Sequence, residues 1–505
     1  MAITLKEGAQ VRLSTILEGE NASSYRDAEI KVCGVDATES LPHGLFICLE
    51  TEPEAATAAV EQAAANGAIW AVLNASLEEQ TSDALPTIVE AIYVDDARSV
   101  YSRACHAFRG FPGRKLRLVG VTGTAGKTTL SVALGGVLAE SGMRFGLIGS
   151  LGVYTGVALR PLAETTPDPE LLAELLDEMV EAGCVGAIVE ASSIALAEKR
   201  LAGLEFDAVC LTNIRRDHLD YHGSVDAYRR AKMQIFQYLK PDGVAICNVD
   251  DRVTDAAMHL IKQPVLTVGV RPSTCNVTAT PVERNRSEQT FYISAGSDAV
   301  PIRTKIIGKE YIYACLEAAA LAVAWKIDLL TYARGIERID CIPCRMESIE
   351  VGQSFGVFLD RASAPYSLTS ALETTRAVTQ GRVFCVLCAP NDLDRSKRQL
   401  MAIAAESSAD FCIVTSGNLP ESQSAEALDD LRRGFSKKDA YYDEPDRRKA
   451  IEWALSHAEL DDAVLIVGQD VSTLAPINER YVPDRQFIRN WLSNNQPSAE
   501  SYWYN

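Results

Sequence analysis

Gly120-Val-Thr-Gly-Thr-Ala-Gly-Lys-Thr-Thr129 follows an apolar segment, residues 116–121, and leads into a helical pattern that runs through residues 130–141. Glycines let such a loop turn its backbone N–H groups inward around phosphate oxygens, and the start of a helix adds its dipole. The first glycine is not at position 121, where the usual P-loop spacing places it, but strand, loop, Gly-Lys-Thr and helix all agree. The stretch therefore predicts a nucleotide-binding site in which Lys127 contacts the outer phosphates and Thr128 binds Mg²⁺. The loop residues that we expect to bind the nucleotide are Gly123, Thr124, Gly126, Lys127, Thr128 and Thr129.

Three blocks can be distinguished along the chain, and they predict domains at residues 1–110, 111–340 and 341–505. The first block has short apolar segments and one helical pattern, at 54–66. In the central and third blocks apolar strand-like segments alternate with helical patterns, which predicts α/β domains with helices on both faces of a parallel sheet. The predicted strands are 116–121, 145–148, 187–190, 208–212 and 244–248 in the central block, and 356–360, 383–387, 411–415 and 464–467 in the third.

Composition narrows the class of protein. Of the 505 residues, 49 are Lys or Arg and 68 are Asp or Glu, so the formal net charge is −19. A surface this acidic argues against nucleic-acid and anionic-membrane partners. There is no basic and then apolar N-terminal signal, no apolar run of the roughly 18 residues that a membrane span needs, and most of the 13 cysteines are scattered singly. We therefore expect a protein of the reducing cytoplasm, without nucleic-acid or membrane partners, and we separately expect a monomer.

Polar side chains follow two of the central strands, at the sheet edge where ligands bind in open α/β folds. Glu190 ends one strand and Thr212-Asn213 ends another. Carboxylate oxygen suits Mg²⁺, so we expect Glu190 to be a metal ligand. His218 lies in a dense polar run after Asn213, and we expect it to be a second ligand, with His222 as the alternative.

Six stretches of the chain resemble the Mur ligases, and most of all the MurE branch of that family. They are Thr122-Gly-Thr-Ala-Gly-Lys-Thr-Thr129, Thr165-Thr-Pro167, Glu190-Ala-Ser-Ser193, Thr212-Asn-Ile-Arg-Arg-Asp-His-Leu-Asp-Tyr-His-Gly223, Ala227-Tyr228 and Ala231-Lys232. The resemblance implies a three-domain Mur ligase architecture, with a central P-loop ATPase domain built on a parallel sheet and a C-terminal Rossmann-like α/β domain. It also implies ATP and Mg²⁺ as cofactors and small molecules as substrates. The N-terminal domain would hold a nucleotide-sugar peptide or a related carboxylate, and the C-terminal domain would bring the amine. The implied reaction converts a substrate carboxylate to an acyl phosphate, from which an amine displaces phosphate to form an amide.

The resemblance also implies roles for individual residues. Lys232 matches a lysine that is carbamylated in relatives, which converts a cation into a carboxylate-like metal ligand. The implied catalytic residues are Lys127, Lys232, His218 and Glu190, and the implied metal ligands are Thr128, Glu190, His218 and Lys232. Further nucleotide contacts are assigned to Asn248, Asp251, Arg345 and Asp360, and substrate contacts to Thr165, Thr166, Ser192 and Arg200.

Several positions that set specificity in the family differ here. Ile194 stands where the family has His, and Glu198 stands for a Gln two residues before Arg200. The Asp-Ser-Arg that grips the uridine nucleotide is Asp36-Ala37-Thr38, and the two asparagines that flank adenine are Tyr311 and Ala314. The Gly-Arg pair at the hinge is Cys344-Arg345, which keeps the arginine.

The third block departs further. Asp360-Arg-Ala-Ser-Ala-Pro365 stands where the family has Asp-Tyr-Ala-His-Thr-Pro, and Ala389-Pro-Asn-Asp-Leu-Asp394 stands in place of its Gly-rich loop. The family's Asp-Asn-Pro-Arg is replaced by Gly417-Asn-Leu-Pro420, and its Gly-Lys-Gly-His-Glu is replaced by Gly468-Gln-Asp-Val-Ser472. The arginine that would pair with an amino-acid carboxylate is absent, so we predict that diaminopimelate is not the acceptor.

Three hypotheses follow. The preferred one is an active MurE-type ligase with a changed amine, and with a carboxylate substrate that is open to change. The second is a catalytically impaired, nucleotide-binding scaffold or regulatory protein, which Ser363 and Ser472 favour because they replace the family's His and Glu. The third is an ordinary peptidoglycan MurE whose acceptor pocket uses other residues.

Overall fold

The computed structural model describes residues 3–4, 10–271, 275–389, 395–417, 419, 421–468 and 483–495. Contacts divide the chain into two compact units. The first comprises Met1–Thr122, Met143–Val209 and Ala231–Ala245, and the second comprises Gly123–Gly142, Cys210–Arg230 and Ile246–Asn505. The domain boundaries at 110 and 340 stay predictions.

A five-stranded sheet forms the N-terminal part of the first unit. Its order is Ile3–Thr4, Val32–Gly34, Gly44–Ile47, Ala68–Asn74 and Glu90–Val94, and all neighbours except the first pair are parallel. The helix predicted at 54–66 is Pro53–Ala65, with Pro53 in the first turn, where its missing N–H costs nothing. It buries Ala56, Val60 and Ala63, which the helical repeat places on one face.

The rest of the first unit contains three of the parallel strands that were predicted for the central block. Gly186–Glu190 lies between Phe145–Gly149 and Arg117–Thr122 and pairs with both in parallel. Every residue of Gly186–Glu190 is buried, as expected of a strand that is covered on both faces. Glu190 pairs in register with Val121, so its carboxylate stands at the carboxyl edge of the sheet, beside the strand that enters the glycine loop.

In the second unit, the helix after the glycine loop is Lys127–Glu140. It packs against the helices Lys309–Ala324 and Leu329–Glu337. The second contact is close, since a Cβ on Gly136 would lie 2.7 Å from the carbonyl oxygen of Gly335. Glycine at both positions therefore lets the two helix backbones approach each other.

The prediction that strands and helices alternate as far as residue 340 is wrong. Val277–Arg284, Gln289–Ala295 and Asp298–Thr304 follow one another as an antiparallel meander. Buried and more exposed residues alternate along most of Gln289–Ala295 and Asp298–Thr304, which is the pattern of a sheet with one wet face. That period of two was the signal in the sequence that distinguishes this segment from the buried parallel strands.

The third block forms a six-stranded sheet. Its order is Glu347–Ser348, Gly356–Asp360, Ala463–Val467, Val383–Cys388, Phe411–Thr415 and Tyr441–Asp443, and only the first strand is antiparallel to its neighbour. Apolar residues on both faces of this sheet are buried under helices, as in a Rossmann-like domain. The predicted strands 356–360 and 411–415 agree with the observed ones residue for residue.

The described helices are Leu13–Ile16, Pro53–Ala65, Glu78–Thr81, Ala97–Phe108, Lys127–Glu140, Pro169–Glu181, Ser193–Ala197, Leu219–His222, Val225–Met233, Arg252–Ala257, Lys309–Ala324, Leu329–Glu337, Pro365–Ala377, Arg395–Ser408, Glu421–Arg432, Arg447–His457 and Asp484–Asn494. The remaining strands are Val11–Arg12, Glu29–Ile30, Gly152–Tyr154, Leu159–Arg160, Phe206–Leu211, Leu239–Asn248 and Val265–Gly269. Among these described helices, none has the length and apolar character that a membrane crossing requires.

Candidate functional site

The glycine loop has a backbone that other residues would not adopt easily. Gly126 has φ +87°, and Gly123 has φ +151°. A Cβ on Gly123 would overlap Thr212 Oγ1, so the loop lies directly against the end of the strand Phe206–Leu211. The cradle predicted from the sequence is therefore present, and its shape depends on these two glycines.

Two residues at the end of that strand hold the loop in place. Asn213 Oδ1 accepts from the N–H of Ala125 at 3.0 Å, and Asn213 Nδ2 donates to the Ala125 carbonyl at 3.1 Å. Thr212 Oγ1 donates to the same carbonyl at 2.6 Å. The predicted site residues did not include Thr212 and Asn213, although their position just after a strand was the signal that could have identified them.

Two cationic side chains converge on the start of the helix Lys127–Glu140. Lys127 Nζ donates to the carbonyl oxygen of Gly123 at 2.9 Å, so the ammonium group lies over the loop. Arg345 Nη2 donates to Thr128 Oγ1 at 3.4 Å. Thr128 and Thr129 are buried in the first turn of the helix. A helix N-terminus flanked by two cations is a suitable site for a polyphosphate.

A second set of contacts ties the loop to the polar run after Asn213. Thr124 Oγ1 lies 2.8 Å from Tyr228 Oη, and it accepts from the N–H of Arg215 at 2.8 Å. Arg215 Nη2 in turn lies 2.8 Å from Asp251 Oδ2. The run is thereby positioned beside the phosphate cradle.

Asn248, Asp251 and Asp360, which were assigned to the nucleotide, each have a structural contact. Asn248 Oδ1 accepts from the N–H of Asp250 at 3.0 Å, and Asp251 caps the helix Arg252–Ala257 through the N–H of Thr254 at 2.9 Å. Asp360 Oδ2 accepts from the N–H of Met346 at 2.9 Å. Burial raises the pKa of Asp360, and the positive charge of Arg345 opposes that shift. Their nucleotide contacts stay predictions.

His218 occupies an exposed position with a left-handed backbone, at φ +48°. Its Nε2 is 3.7 Å from Asp217 Oδ2, and Asp217 Oδ1 is 2.7 Å from Lys397 Nζ. Burial alone would raise the pKa of Asp217, but Lys397 and His218 hold it below the usual range, so this carboxylate stays ionised. Asp217, which the sequence analysis did not select, is thus the residue that connects His218 to Lys397.

In the first unit, Glu190 is wholly buried and belongs to a network with the predicted substrate residues. Ser150 Oγ donates to Glu190 Oε2 at 3.2 Å and lies 2.9 Å from Thr165 Oγ1. Thr166 Oγ1 donates to the backbone carbonyl of Glu190 at 2.7 Å and accepts from the N–H of Ser192 at 3.0 Å. Ser192 Oγ then caps the helix Ser193–Ala197.

Arg200 completes this network. Its Nη1 donates to the carbonyl oxygen of Thr166 at 2.7 Å, and its Nε donates to Glu198 Oε2 at 2.8 Å. A third bond runs from Nη1 to the carboxylate of Glu164. All four predicted substrate residues, Thr165, Thr166, Ser192 and Arg200, therefore lie in one cluster around Glu190, and Ser150, Glu164 and Glu198 are additional members.

The predicted metal ligands belong to both units: Thr128 and His218 to the second, and Glu190 and the buried Lys232 to the first. Within the described residues, no cluster of three or more His, Cys, Asp or Glu side chains could hold a metal by itself. Mg²⁺ usually keeps waters and takes its other oxygens from one or two carboxylates and from phosphates. Carboxylate and hydroxyl oxygens, the groups that Glu190 and Thr128 carry, are suited to that mode, and the ligand set as a whole stays a prediction.

Comparison with known proteins places this geometry in a family. Residues 121–322 match the Mur ligase middle domain, and residues 344–469 match the Mur ligase, glutamate ligase domain. The UDP-N-acetylmuramoyl-L-alanyl-D-glutamate–2,6-diaminopimelate ligase of Geobacillus thermodenitrificans (strain NG80-2) is 33% identical over 458 residues, which are 89% of this chain and 92% of that relative. The chain belongs to the Mur ligase family. A Mur ligase of the same name from Caldanaerobacter subterraneus subsp. tengcongensis is 30% identical over 491 residues, 96% of this chain and 100% of the relative.

Solved Mur ligase structures share the fold. A UDP-N-acetylmuramoyl-L-alanyl-D-glutamate–2,6-diaminopimelate ligase superposes with a TM-score of 0.66 at 24% identity and covers 96% of this chain and 99% of its own. MurF from Thermotoga maritima in complex with ADP superposes with a TM-score of 0.61 at 14% identity and covers 92% and 98%. The predicted α/β Mur ligase fold is confirmed.

The enzyme class predicted from the sequence is also confirmed. The chain is an ATP-dependent, ADP-forming peptide ligase of MurE type, and Mur ligases use ATP and Mg²⁺ and act on small-molecule substrates. The monomeric state and the cytoplasmic location stay predictions. Several altered motif positions, namely residues 390–394, Asn418, Pro420 and residues 469–472 with Ser472, lie outside the described residues.

Proposed function

We propose that this Mur ligase joins the carboxylate of a UDP-MurNAc-L-Ala-D-Glu-type nucleotide peptide to an amine other than diaminopimelate. The observation that carries the proposal is the combination of a complete phosphate cradle with changed specificity positions. Two hydrogen bonds lie around the helix start, from Lys127 to the carbonyl of Gly123 and from Arg345 to the hydroxyl of Thr128. Decay of a redundant copy would be expected to damage these contacts as well.

Bound ATP, with Mg²⁺ to neutralise its phosphates, supplies the phosphoryl group that activates the substrate carboxylate as an acyl phosphate. The carboxylate oxygen forms a bond to the γ-phosphorus and ADP leaves; the amine then attacks the carbonyl carbon, loses a proton and releases phosphate. The chain contributes position and charge: Lys127 and Arg345 lie at the start of the helix Lys127–Glu140, and in the first unit Glu190 ends the strand Gly186–Glu190.

The residues that match the family's acceptor motif, 417–420, support a changed amine. Gly417 has φ +64°, and a Cβ there would overlap Cys388 Sγ, so Gly417 packs tightly against the end of the strand Val383–Cys388. The sequence Gly417-Asn-Leu-Pro420 contains no guanidinium to pair with the carboxylate of an incoming amino acid. A simple amine, or an amino acid whose carboxylate is bound elsewhere, suits this site better than diaminopimelate.

The stretch that matches the family's uridine-binding motif, Asp36-Ala37-Thr38, has also changed. Asp36 Oδ1 accepts from the N–H of Thr38 at 2.9 Å and from Thr38 Oγ1 at 2.7 Å. Asp36 therefore closes its own turn, and no arginine follows it in Asp36-Ala37-Thr38. Uridine recognition at this turn would rest on fewer side-chain contacts than in the family pattern.

The test is phosphate release from ATP and Mg²⁺ in the presence of UDP-MurNAc-L-Ala-D-Glu and a pool of amino acids and diamines. We expect release that needs both the peptide and the pool, and division of the pool then identifies the amine. Lys127→Ala should abolish release, because it removes the ammonium group of the cradle. Glu373→Gln, on the exposed face of the helix Pro365–Ala377, is the control that should leave release unchanged.

Two results would contradict the proposal. Diaminopimelate as the preferred amine would establish an ordinary MurE whose acceptor pocket uses other residues. Absence of release with every amine, together with ATP binding that Lys127→Ala weakens, would leave two alternatives: a different carboxylate substrate, or a nucleotide-binding scaffold that no longer forms bonds.

A further inference from the structure

Arg200 is bound by two carboxylates of its own chain. Glu198 Oε2 lies 2.8 Å from the guanidinium, and Glu164 forms a second ion pair with Nη1. The Arg200 side chain is 14% exposed, against 30% for Glu198 and 59% for Glu164. The guanidinium is therefore mostly buried, and its charge is already paired with two carboxylates of the same chain when no substrate is bound.

Arg200, Glu164 and Glu198 together have one positive and two negative charges, so this group of three carries a net charge of −1. Burial would lower the pKa of Arg200, but the hydrogen bonds that it donates to Glu164 and Glu198 raise it, which keeps the guanidinium charged. A further carboxylate next to these three residues would face two like charges, and the partly buried Glu198 is screened by water less than the exposed Glu164.

One residue, Thr166, links Arg200 to the backbone of Glu190. Arg200 Nη1 donates to the carbonyl of Thr166, and Thr166 Oγ1 donates to the carbonyl of Glu190. A substrate whose reactive carboxylate lies beside Glu190 would place its neighbouring group near Arg200, Glu198 and Glu164. A carboxamide is complementary to that set, because its NH₂ donates to a glutamate while its oxygen accepts from the guanidinium.

We propose that the carboxylate substrate of this enzyme carries a carboxamide, and not a second carboxylate, next to the carboxyl group that is activated. Glu198 is the residue that determines this preference, since it is the more buried of the two glutamates. The proposal rests on the proposed function and specifies the substrate class of the same site.

The experiment compares two nucleotide peptides in the phosphate-release assay, with the amine that the pool identifies. One is UDP-MurNAc-L-Ala-D-Glu, and the other is the same molecule with the α-carboxyl group converted to a carboxamide. We expect kcat/KM to be at least about tenfold higher for the carboxamide, the ratio that one unfavourable charge contact produces. Glu198→Gln should lower the ratio of the two kcat/KM values by about tenfold, or reverse the preference. The change should come mainly from a lower KM for the carboxylate peptide.

Two further variants test whether the effect depends on the charges beside Arg200. Glu164→Gln removes the second negative charge at an exposed position and should shift the preference in the same direction by a smaller factor. Glu174→Gln makes the same substitution in the ion pair with Arg109, away from the cluster, and should leave the preference as in the wild type.

Release that favours the carboxylate peptide in the wild type, or a carboxamide preference that Glu198→Gln does not change, would overturn this inference and leave the proposed function intact. No release with either peptide, whichever amine is supplied, would overturn the proposed function and the inference together.

Discussion

Lys397 and Asp217, which are 180 residues apart in the chain, form an ion pair with 2.7 Å between Nζ and Oδ1. The two side chains are only 7% and 10% exposed. Asp217 precedes His218, so this ion pair fixes the polar run that also contacts the phosphate loop through Arg215.

Removal of one partner should be costly. In Lys397→Met the Asp217 carboxylate remains buried without this cation, and we expect the free energy of unfolding to fall by about 3–5 kcal/mol, as for other broken buried pairs. Urea denaturation of the purified protein measures the change. The double variant Lys397→Met, Asp217→Asn should recover part of the loss.

A matched control is Lys305→Met, which breaks a wholly exposed ion pair with Asp340 at 2.6 Å. We expect no measurable change there, because exposed pairs are screened by water. Equal effects of the two substitutions would mean that burial does not govern the strength of the Lys397 pair.

The phosphate cradle should not tolerate a side chain at position 123. In Gly123→Ala the new Cβ overlaps Thr212 Oγ1, so the loop has to move, and we expect affinity for ATP to fall at least about tenfold. Calorimetric titration with a non-hydrolysable ATP analogue measures the affinity.

Gly135→Ala makes the same change inside the helix Lys127–Glu140, where no heavy atom lies within 4 Å of the new Cβ. There we expect unchanged affinity and roughly 0.5–1 kcal/mol of added stability, since alanine is the better helix former. Equal affinities of both variants would show that the glycine at 123 is not needed for the cradle.

Glu317 makes stability depend on pH. This carboxyl group is wholly buried in the helix Lys309–Ala324, and burial, with the nearby charge of Glu310 as the second cause, raises its pKa well above the ordinary 4.5. The neutral form is favoured in the fold, so its contribution to stability is complete below pH 4.5 and declines as pH rises toward the raised pKa.

Glu317→Gln keeps the shape of the side chain and cannot ionise. We therefore expect a higher melting temperature than the wild type above neutral pH, and a difference that vanishes near pH 4.5, where both side chains are neutral. Melting curves across the pH range measure it, with the exposed Glu373→Gln as the control. A constant difference at all pH values would show that titration of Glu317 is not the cause.

Lys232 is buried, with 1% exposure, and we predict that its amine is carbamylated in the working enzyme. Protein equilibrated with ¹³C-bicarbonate should show a carbamate carbon resonance that is absent from Lys232→Arg. The same variant should lose at least about tenfold in kcat, because it lacks a ligand that can help to hold Mg²⁺. Lys240→Arg, in the ion pair with Asp207, should keep the resonance. A fully active wild type without the resonance would contradict the prediction.

Much of the fold was predictable from local patterns. The strand that enters the glycine loop and the strand that ends at Glu190 were placed to within one residue, because parallel strands that are buried on both faces leave continuous apolar runs. The meander Val277–Thr304 was missed, since its alternating pattern is weaker and its pairing depends on which strands meet.

The sequence by itself determined the phosphate cradle and the enzyme class. Glycine backbone freedom and the start of a helix act within ten residues, so Gly120–Thr129 carries that site in its order of residues alone. Only the tertiary structure decided which charges meet. Arg200 with Glu164, and Asp217 with Lys397, come together through 36 and 180 residues of chain. Such pairings depend on where strands and helices place each side chain, because the energy of a charge is set by its burial and its neighbours.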